Sequence, residues 1–104
     1  MREISPHELQ AQFATDQPLI LDVREPWEFD VCRIPGSINM PLNGIPMHLA
    51  ELSRTAPLVV VCHHGMRSEY AQHFLLENGF TDVANLAGGI DRWARELDPE
   101  MARY

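Results

Sequence analysis

One stretch decides the fold of this chain, and it reads Val59-Val60-Val61-Cys62-His63-His64-Gly65-Met66-Arg67-Ser68-Glu69. A β-branched apolar run ends at a cysteine, a short loop with one glycine follows, and a helical pattern then begins. This order predicts a strand, a loop and a helix, with the loop at the N-terminal end of the helix. Amide groups at that end have no intrahelical partners, and the helix dipole adds partial positive charge there.

Cys62 lies in this loop, where free amides and the helix dipole favour a negative charge. A thiol in such a place exists partly as the thiolate at neutral pH, and the same amides can hold a bound anion. A cysteine that ends an apolar strand is more often just a small buried hydrophobe. Residues 63–67 cannot continue the strand, however, and Arg67 returns a cation to the loop. We therefore interpret Cys62 as a reactive sulfur nucleophile inside an anion-binding loop.

The length and composition predict one small globular domain. The chain has 104 residues, of which 45% are hydrophobic and 22% are charged, as is ordinary for a protein with one core. Its formal net charge of −7 argues against a nucleic-acid partner, because such a partner requires a basic face. The first residues include no apolar signal segment, and no apolar run is long enough to span a bilayer.

The two cysteines, Cys32 and Cys62, indicate a reducing compartment. They are too far apart for a C-x-x-C redox motif and form no disulfide-rich pattern. We interpret Cys32 as a semi-buried structural thiol rather than as a resolving cysteine. Free thiols are typical of cytoplasmic proteins, which predicts a cytoplasmic location.

Helices and strands are predicted to alternate along the chain. Ser5, Pro6 and Glu8 predict a capped first helix, because they combine a capping box with a proline at the first helical position. Apolar runs predict strands at residues 18–23, 37–40, 58–61 and 83–86. This alternation predicts a parallel α/β sheet with right-handed crossovers. Ligands of such sheets bind beyond the carboxyl ends of the strands, where Cys62 lies.

Two later helices show apolar faces. The helix after the Cys62 loop is expected to bury residues 70, 71, 74 and 75, which assigns Tyr70 to the core. The last helix has apolar residues at positions 90, 93, 94 and 97, after a turn at Gly88-Gly89. Trp27 and Phe29, in a short helical turn, are also expected in the core.

Asp22 and Arg24 end the first buried strand, and two interpretations are open. In one, they support the active loop from the neighbouring strand. In the other, they tie the strand end to its neighbours by ion pairs and hydrogen bonds, with Glu25 and Glu28 available to Arg24. The edge of a sheet requires such ties, so we favour the second interpretation.

Further motifs accompany the Cys62 loop in a fixed order along the chain. They are Leu-Asp-Val-Arg-Glu at 21–25, Trp-Glu-Phe at 27–29, Arg-Ile-Pro-Gly-Ser-Ile-Asn at 33–39, and Leu-Ala-Gly-Gly-Ile at 86–90 with Trp93. From about Ile4 to Leu97 the chain resembles a single-domain rhodanese, a sulfurtransferase of the thiosulfate:cyanide type. Arg33 departs from the histidine that many relatives carry, and the pair His63-His64 departs from the basic residue often found in this loop.

The resemblance implies a small three-layer α/β domain that spans residues 1–104, with a parallel sheet of about five strands and helices on both faces. Residues 98–104 are expected to form an irregular, partly mobile tail. The implied catalytic residue is Cys62, which would carry sulfur as a persulfide. The implied binding loop consists of His63, His64, Gly65, Met66, Arg67 and Ser68. Asp22 and Arg24 are named as supporting residues.

The implied partners are a small anionic sulfur donor and an acceptor that is cyanide in an assay, or a thiol or protein in the cell. Arg67 would hold the loop shape and attract the donor. No cofactor, metal, nucleic acid or membrane is expected. Cys62, His63 and His64 are metal-binding residue types, but neighbouring side chains should diverge and the spacing matches no usual zinc pattern. We expect both histidines to face outward and to tune the approach of a substrate or partner.

Three alternatives remain open from the sequence. The first is a phosphatase or arsenate reductase with a related cysteine loop, although such loops have one more residue between cysteine and arginine. The second is an interaction module without catalysis. The third is a sulfur relay to a small carrier protein, because residues 97–104 look like the ends of rhodanese domains attached to adenylyltransferases.

Overall fold

A parallel sheet of five strands, in the order β1-β5-β4-β2-β3, forms the centre of the fold. This computed structural model describes residues 2–104. The strands are β1 Glu3–Ile4, β2 Leu19–Asp22, β3 Ile38–Asn39, β4 Leu58–Val61 and β5 Val83–Leu86. The helices are α1 Pro6–Gln12, α2 Pro26–Val31, α3 Ile45–His48, α4 Met66–Glu77 and α5 Gly89–Leu97, with 3₁₀ turns at Leu42–Gly44 and Leu49–Glu51.

The central strand β4 divides the core into two parts. Leu58, Val60 and Cys62 belong to one apolar cluster, which α3 and α4 cover. Val59 and Val61 belong to the other cluster, which α1 and α5 cover. Alternate residues of a strand point to opposite faces of its sheet. The predicted three-layer α/β fold, with a parallel sheet and helices on both faces, is therefore confirmed.

The strand register places the carboxyl ends of β2 and β4 side by side. Asp22 pairs with Val61, and Leu21 pairs with Val60, in a parallel ladder. On the other side of β4, Val60 pairs with Asn85 of β5. Residues that follow β2 and β4, together with the end of β5, therefore gather at one edge of the sheet, and the Cys62 loop lies there.

The capping box predicted for α1 is confirmed. The backbone N–H of Glu8 donates to Ser5 Oγ over 3.1 Å, and the backbone N–H of Ser5 donates to Glu8 Oε1 over 2.9 Å. Pro6 is the first helical residue.

Two residues predicted in the core lie at the surface. Trp27 is 59% exposed and Tyr70 is 68% exposed. In α2 the buried residue is Glu28 instead, because its carboxylate is paired with Arg67. In α4 the buried face includes Ser68 and Gln72, so it is rotated from the face that apolar spacing alone indicates.

Residues 98–104 form neither helix nor strand. The side chain of Tyr104 nevertheless packs against the loop after β4. None of the helices formed by residues 2–104 has the length and apolar character needed to cross a membrane.

Candidate active site

Cys62 directly follows β4 and lies at the base of an open depression. The depression has a volume of about 400 Å³ and is lined by Cys62, His63, His64, Met66 and Arg67. Cys62 is only 1% exposed, so little of it is open to solvent even at this depression. The opening lies beyond the carboxyl end of β4, where the sequence places a ligand.

A backbone N–H and a hydroxyl group lie beside the Cys62 sulfur. The backbone N–H of Gly65 lies 3.0 Å from Sγ, and the hydroxyl oxygen of Ser68 lies 3.3 Å from it. Gly65 has a φ of +113°, a region that residues with a Cβ rarely adopt, and this conformation aims its N–H at the sulfur. The amides of the first turn of α4 point the same way out of the helix end, since they lack intrahelical acceptors.

Asn85 is a polar residue of the site that the sequence analysis missed. It lies in the middle of the sheet and is 1% exposed. Its Oδ1 lies 2.5 Å from Ser68 Oγ, and its Nδ2 donates to the carbonyl of Gly65 over 3.1 Å. The sequence does contain a signal for this residue, which is an asparagine within the otherwise apolar run of β5. A buried strand is usually apolar, and a buried amide must find hydrogen-bond partners, so such a residue indicates a polar contact.

The N-terminal end of α5 supports the Cys62 loop from behind. The N–H of Ile90 donates to the carbonyl of Cys62 over 2.8 Å, and the N–H of Asp91 donates to the carbonyl of His63 over 3.1 Å. At Gly89 a Cβ atom would lie 2.4 Å from the carbonyl oxygen of His63. The loop carbonyls thus turn toward α5.

Arg67 and Glu28 form a two-pronged ion pair at the mouth. Arg67 Nη1 donates to Glu28 Oε1 over 2.7 Å, and Nη2 donates to Oε2 over 2.8 Å. This pairing, opposed in part by burial, lowers the pKa of Glu28 to about 2. Arg67 remains 37% exposed in its side chain, but its charge is balanced by a nearly buried carboxylate. Glu28 was expected as a partner of Arg24. Its carboxylate pairs with Arg67 instead, and Arg24 reaches only its backbone carbonyl, over 3.3 Å.

Asp22 and Arg24 bind each other beneath the site. Arg24 Nε and Nη2 donate to the Asp22 carboxylate at 2.7–3.1 Å, and both side chains are at most 1% exposed. Arg24 Nη2 also donates to the carbonyl of Cys32 over 2.6 Å. These bonds connect the end of β2 to the end of α2. They agree with the interpretation that Asp22 and Arg24 tie the strand end to its neighbours.

Tyr104 joins the two ion pairs. Its hydroxyl accepts from Arg24 Nη1 over 2.9 Å and donates to Glu28 Oε2 over 2.8 Å. Burial, with the Glu28 contact adding to it, raises the pKa of Tyr104 to about 12, so the phenol keeps its proton. The ring stacks on His63 with centroids 4.2 Å apart and meets Trp27 edge-on at 5.5 Å. No pattern in the sequence placed this residue in the site.

The side chains of His63 and His64 do not diverge, in contrast to the expectation from sequence. Their rings stack 4.2 Å apart at an angle of 12°, and burial, together with the charge of His64, lowers the pKa of His63. Donor atoms of both rings and of Asp91 lie within 4.8 Å of one another. The in-plane lone pairs of stacked rings run parallel instead of converging, and Asp91 is bonded to Arg95 and Arg103. This geometry does not fit a shared metal ion.

Known proteins share the sequence pattern of this chain. The chain matches the Rhodanese-like domain family over residues 5–96. It is 39% identical over 95 residues to the thiosulfate sulfurtransferase GlpE of Pseudomonas syringae pv. syringae, with 90% of each chain covered. It is 30% identical over 102 residues to the adenylyltransferase and sulfurtransferase uba4 of Ogataea parapolymorpha, with 97% of this chain but only 25% of that protein covered.

A solved structure shares the same fold. The rhodanese-related protein from Thermoplasma volcanium has a TM-score of 0.85 and 33% identity, with 93% of this chain and 94% of that chain covered. The family match includes β2, the Cys62 loop and most of α5. With its five-stranded parallel sheet and a cysteine loop at the carboxyl edge, this chain belongs to the rhodanese-like domain family.

Proposed function

We propose that this protein is a sulfurtransferase that carries a sulfane sulfur on Cys62 as a persulfide. The observation that carries the proposal is the Cys62 sulfur at the base of an open mouth, with the Gly65 N–H and the Ser68 hydroxyl facing it. Donors in this arrangement favour a negative charge on sulfur. The likeness to a thiosulfate sulfurtransferase supports thiosulfate as a donor.

The proposed reaction has two half-reactions. The Cys62 thiolate attacks the outer sulfur of thiosulfate, the S–S bond of thiosulfate breaks, and sulfite leaves with the bonding electron pair. The enzyme then holds Cys62–S–S⁻. An acceptor such as cyanide attacks the terminal sulfur, leaves as thiocyanate, and returns the thiolate of Cys62. Covalent catalysis of this kind gives ping-pong kinetics.

The loop amides, rather than a free cation, would bind the anionic sulfur. Glu28 balances the charge of Arg67 through two hydrogen bonds, so Arg67 contributes shape and a polar rim at the mouth. The amides of the loop and of the first turn of α4 remain as donors to the terminal sulfur. His63 to Ser68 form this proposed binding loop, and Asp22 with Arg24 would support it through Tyr104.

A thiol or a protein is proposed as the acceptor in the cell. A relay to a carrier protein is the second candidate, and the likeness to uba4 favours it. We further propose that residues 1–104 act as one domain. Cys32 and Cys62 are both free, which suits a reducing compartment such as the cytoplasm.

Intact mass spectrometry tests this function directly. After exposure to thiosulfate, the protein should gain the mass of one sulfur atom, and Cys62→Ser should gain none while it keeps the fold. Cys32→Ser is the matched control and should still take up one sulfur, because Cys32 lies outside the mouth. If the Cys32 variant alone fails to load, the assignment of Cys62 is wrong.

The alternatives give different results with cyanide. A sulfurtransferase releases thiocyanate from the loaded protein, whereas an interaction module never becomes loaded. A relay loads but transfers sulfur to cyanide slowly and to a thiol or protein acceptor faster. Loading followed by each acceptor in turn therefore separates the three.

A further inference from the structure

The hydroxyl of Ser68 has one proton but three acceptors within reach. Its oxygen lies 2.5 Å from Asn85 Oδ1, 3.2 Å from the carbonyl of Gly65 and 3.3 Å from Cys62 Sγ. A single O–H group donates to one of these at a time. The direction of that proton therefore decides whether the sulfur has one donor or two.

The orientation of the Asn85 amide follows from its other contact. Nδ2 lies 3.1 Å from the carbonyl of Gly65, which can only accept, so the NH₂ group must lie on that side. Oδ1 then faces Ser68 and can only accept its proton. Among residues 2–104 no buried side-chain nitrogen or oxygen lacks a partner, so both ends of the amide have at least one.

We propose that Asn85 is a positioning residue of the sulfur-transfer reaction, because it competes with the Cys62 sulfur for the Ser68 hydroxyl. This inference rests on the proposed function. While the thiolate attacks a donor, Asn85 holds the hydroxyl and leaves the sulfur more nucleophilic. When an acceptor cleaves the persulfide, the same thiolate returns at Sγ. Asn85 then holds the hydroxyl as before, so the Gly65 N–H is the donor that stays on the sulfur throughout the reaction.

The charged groups around the sulfur stay the same when Ser68 or Asn85 is replaced by an apolar residue. Arg67 of α4 is paired with Glu28 of α2, and Asp91 of α5 is paired with Arg95 and Arg103. The rings of the loop histidines, His63 and His64, stack at the mouth. Ser68 and Asn85 are themselves uncharged, so such replacements change hydrogen bonding without adding or removing charge.

The test measures the pH dependence of Cys62 alkylation by iodoacetamide, in a Cys32→Ser background so that one thiol reacts. Asn85→Leu removes the competing acceptor at similar side-chain volume. We expect the midpoint of the profile to move to lower pH by about one unit, because the hydroxyl then donates to the thiolate. In a Ser68→Ala background, the same Asn85→Leu change should leave the midpoint unmoved.

The double-mutant comparison separates the proposed role from a general structural one. An equal shift in both backgrounds, or no shift with Ser68 present, overturns the proposal. Asn39→Leu is the matched control: Asn39 is also a strand asparagine whose Nδ2 donates to backbone carbonyls, at Asp22 and Arg24, and its loss should not move the midpoint.

Asn85→Asp gives a second test with the opposite sign, and it applies if the leucine variant does not fold. A carboxylate accepts the Ser68 proton more strongly than an amide, so the midpoint should move to higher pH, and more so with Ser68 present than with Ser68→Ala. An equal movement in both backgrounds contradicts the proposal. Alkylation does not require sulfur transfer, so this result stands apart from the test of the proposed function.

Discussion

At the scale of residues, the Glu28 carboxylate connects the polar side chains at the mouth of the site. Its carboxylate is buried, yet it binds Arg67 through both oxygens and also accepts the proton of Tyr104. Burying an ionised carboxylate without partners costs free energy. The hydrogen bonds from Arg67 and Tyr104 offset this cost and favour the ionised form of Glu28. The low pKa of Glu28, about 2, expresses this balance.

This low pKa predicts how stability depends on acid. A carboxyl whose pKa is lower in the folded than in the unfolded chain stabilises the fold above its unfolded pKa, and the contribution is lost as pH falls toward the folded value. For Glu28 the window runs from 4.5 down to about 2. Glu28→Gln should lower the free energy of unfolding by about 2 kcal/mol at pH 7 and by much less near pH 2. Urea denaturation at both pH values measures this.

Glu77→Gln is the control for this prediction, because Glu77 is an exposed residue at the end of α4. Its replacement should leave the free energy of unfolding within about 0.5 kcal/mol at either pH. An equal loss for the Glu28 variant at pH 7 and at pH 2 would contradict the assigned ionisation of Glu28.

The sequence predicted those site residues that lie close together in one short stretch of the chain. Cys62, Gly65 and Arg67 lie within six positions of each other, and their types and spacing indicate a loop at a helix end. Asn85 and Tyr104 come from distant parts of the chain, so only the complete fold brings them to Ser68 and Glu28 at the site. A pattern within a short stretch of sequence does not predict contacts between such distant residues.

At the scale of elements, the Cys62 loop depends on α5 behind it. Two backbone N–H groups at the start of α5 donate hydrogen bonds to two carbonyls of the loop, and these bonds fix the orientation of that part of the loop. Helix N-termini supply such donors because their first amides lack intrahelical partners. The close approach requires Gly89, since a Cβ there would meet the carbonyl oxygens of His63 and Cys62 at 2.4 and 2.5 Å.

Gly89→Ala should therefore displace the loop from α5. Backbone atoms cannot give way as a flexible side chain can, and Gly89 also has a φ of +63°. Together these effects should lower the free energy of unfolding by about 3 kcal/mol and reduce persulfide formation. Gly44→Ala is the control, with ordinary van der Waals space at 3.7 Å, and should change stability by less than about 1 kcal/mol. Thermal unfolding and mass spectrometry of both variants decide; equal effects would refute this account.

The length of the loop predicts which chemistry it supports. Four residues separate Cys62 from Arg67, whereas the family resemblance implies five in related phosphatases and arsenate reductases. A narrower ring suits one persulfide sulfur better than a tetrahedral oxyanion. The protein should therefore form thiocyanate from thiosulfate and cyanide but should not hydrolyse an aryl phosphate, and Cys62-dependent phosphatase turnover equal to sulfur transfer would contradict this.

A glycine inserted between Gly65 and Met66 tests the same idea from the other side. The wider loop should weaken sulfur transfer, since a displacement of about 1 Å in such a site can reduce the rate on the order of 100-fold. Sulfur transfer that stays unchanged after the insertion would remove loop size as the determinant. A glycine inserted after Gly79, at the far end of α4, serves as the control.

Elements were predicted well where their apolar run was complete. The strands at residues 58–61 and 83–86 have the predicted bounds, and the strand predicted at 18–23 spans Leu19–Asp22. Strand β1 was missed, because it has only two residues and so shows no alternation of apolar and polar residues in the sequence. The buried face of α4 was predicted in part: Ala71 and Leu75 are buried as expected. Ser68 and Gln72 are buried there as well because they form hydrogen bonds, which apolar spacing does not reveal.

At the scale of the whole molecule, Tyr104 links parts of the chain that lie far apart. It bonds to Arg24 and Glu28, which are 80 and 76 positions away. Tyr104→Phe should lower the free energy of unfolding by about 1 kcal/mol, because two charged partners each lose a hydrogen bond, although the residue is 40% exposed. Tyr70→Phe is the control: its side chain is 68% exposed, and the change should be neutral. Urea denaturation compares the two, and equal losses would contradict the bridging role.

The position of β4 in the middle of the sheet also affects when the protein becomes reactive during folding. β4 needs β2 on one side and β5 on the other, and each is joined to it through a long crossover. Pairings between distant segments form late and slowly. Until they form, Cys62 is an ordinary thiol of a flexible chain, with no aligned amides around it. Under the proposed function, sulfur loading would therefore report that the sheet has assembled, and an incompletely folded copy would have no means to activate its thiol.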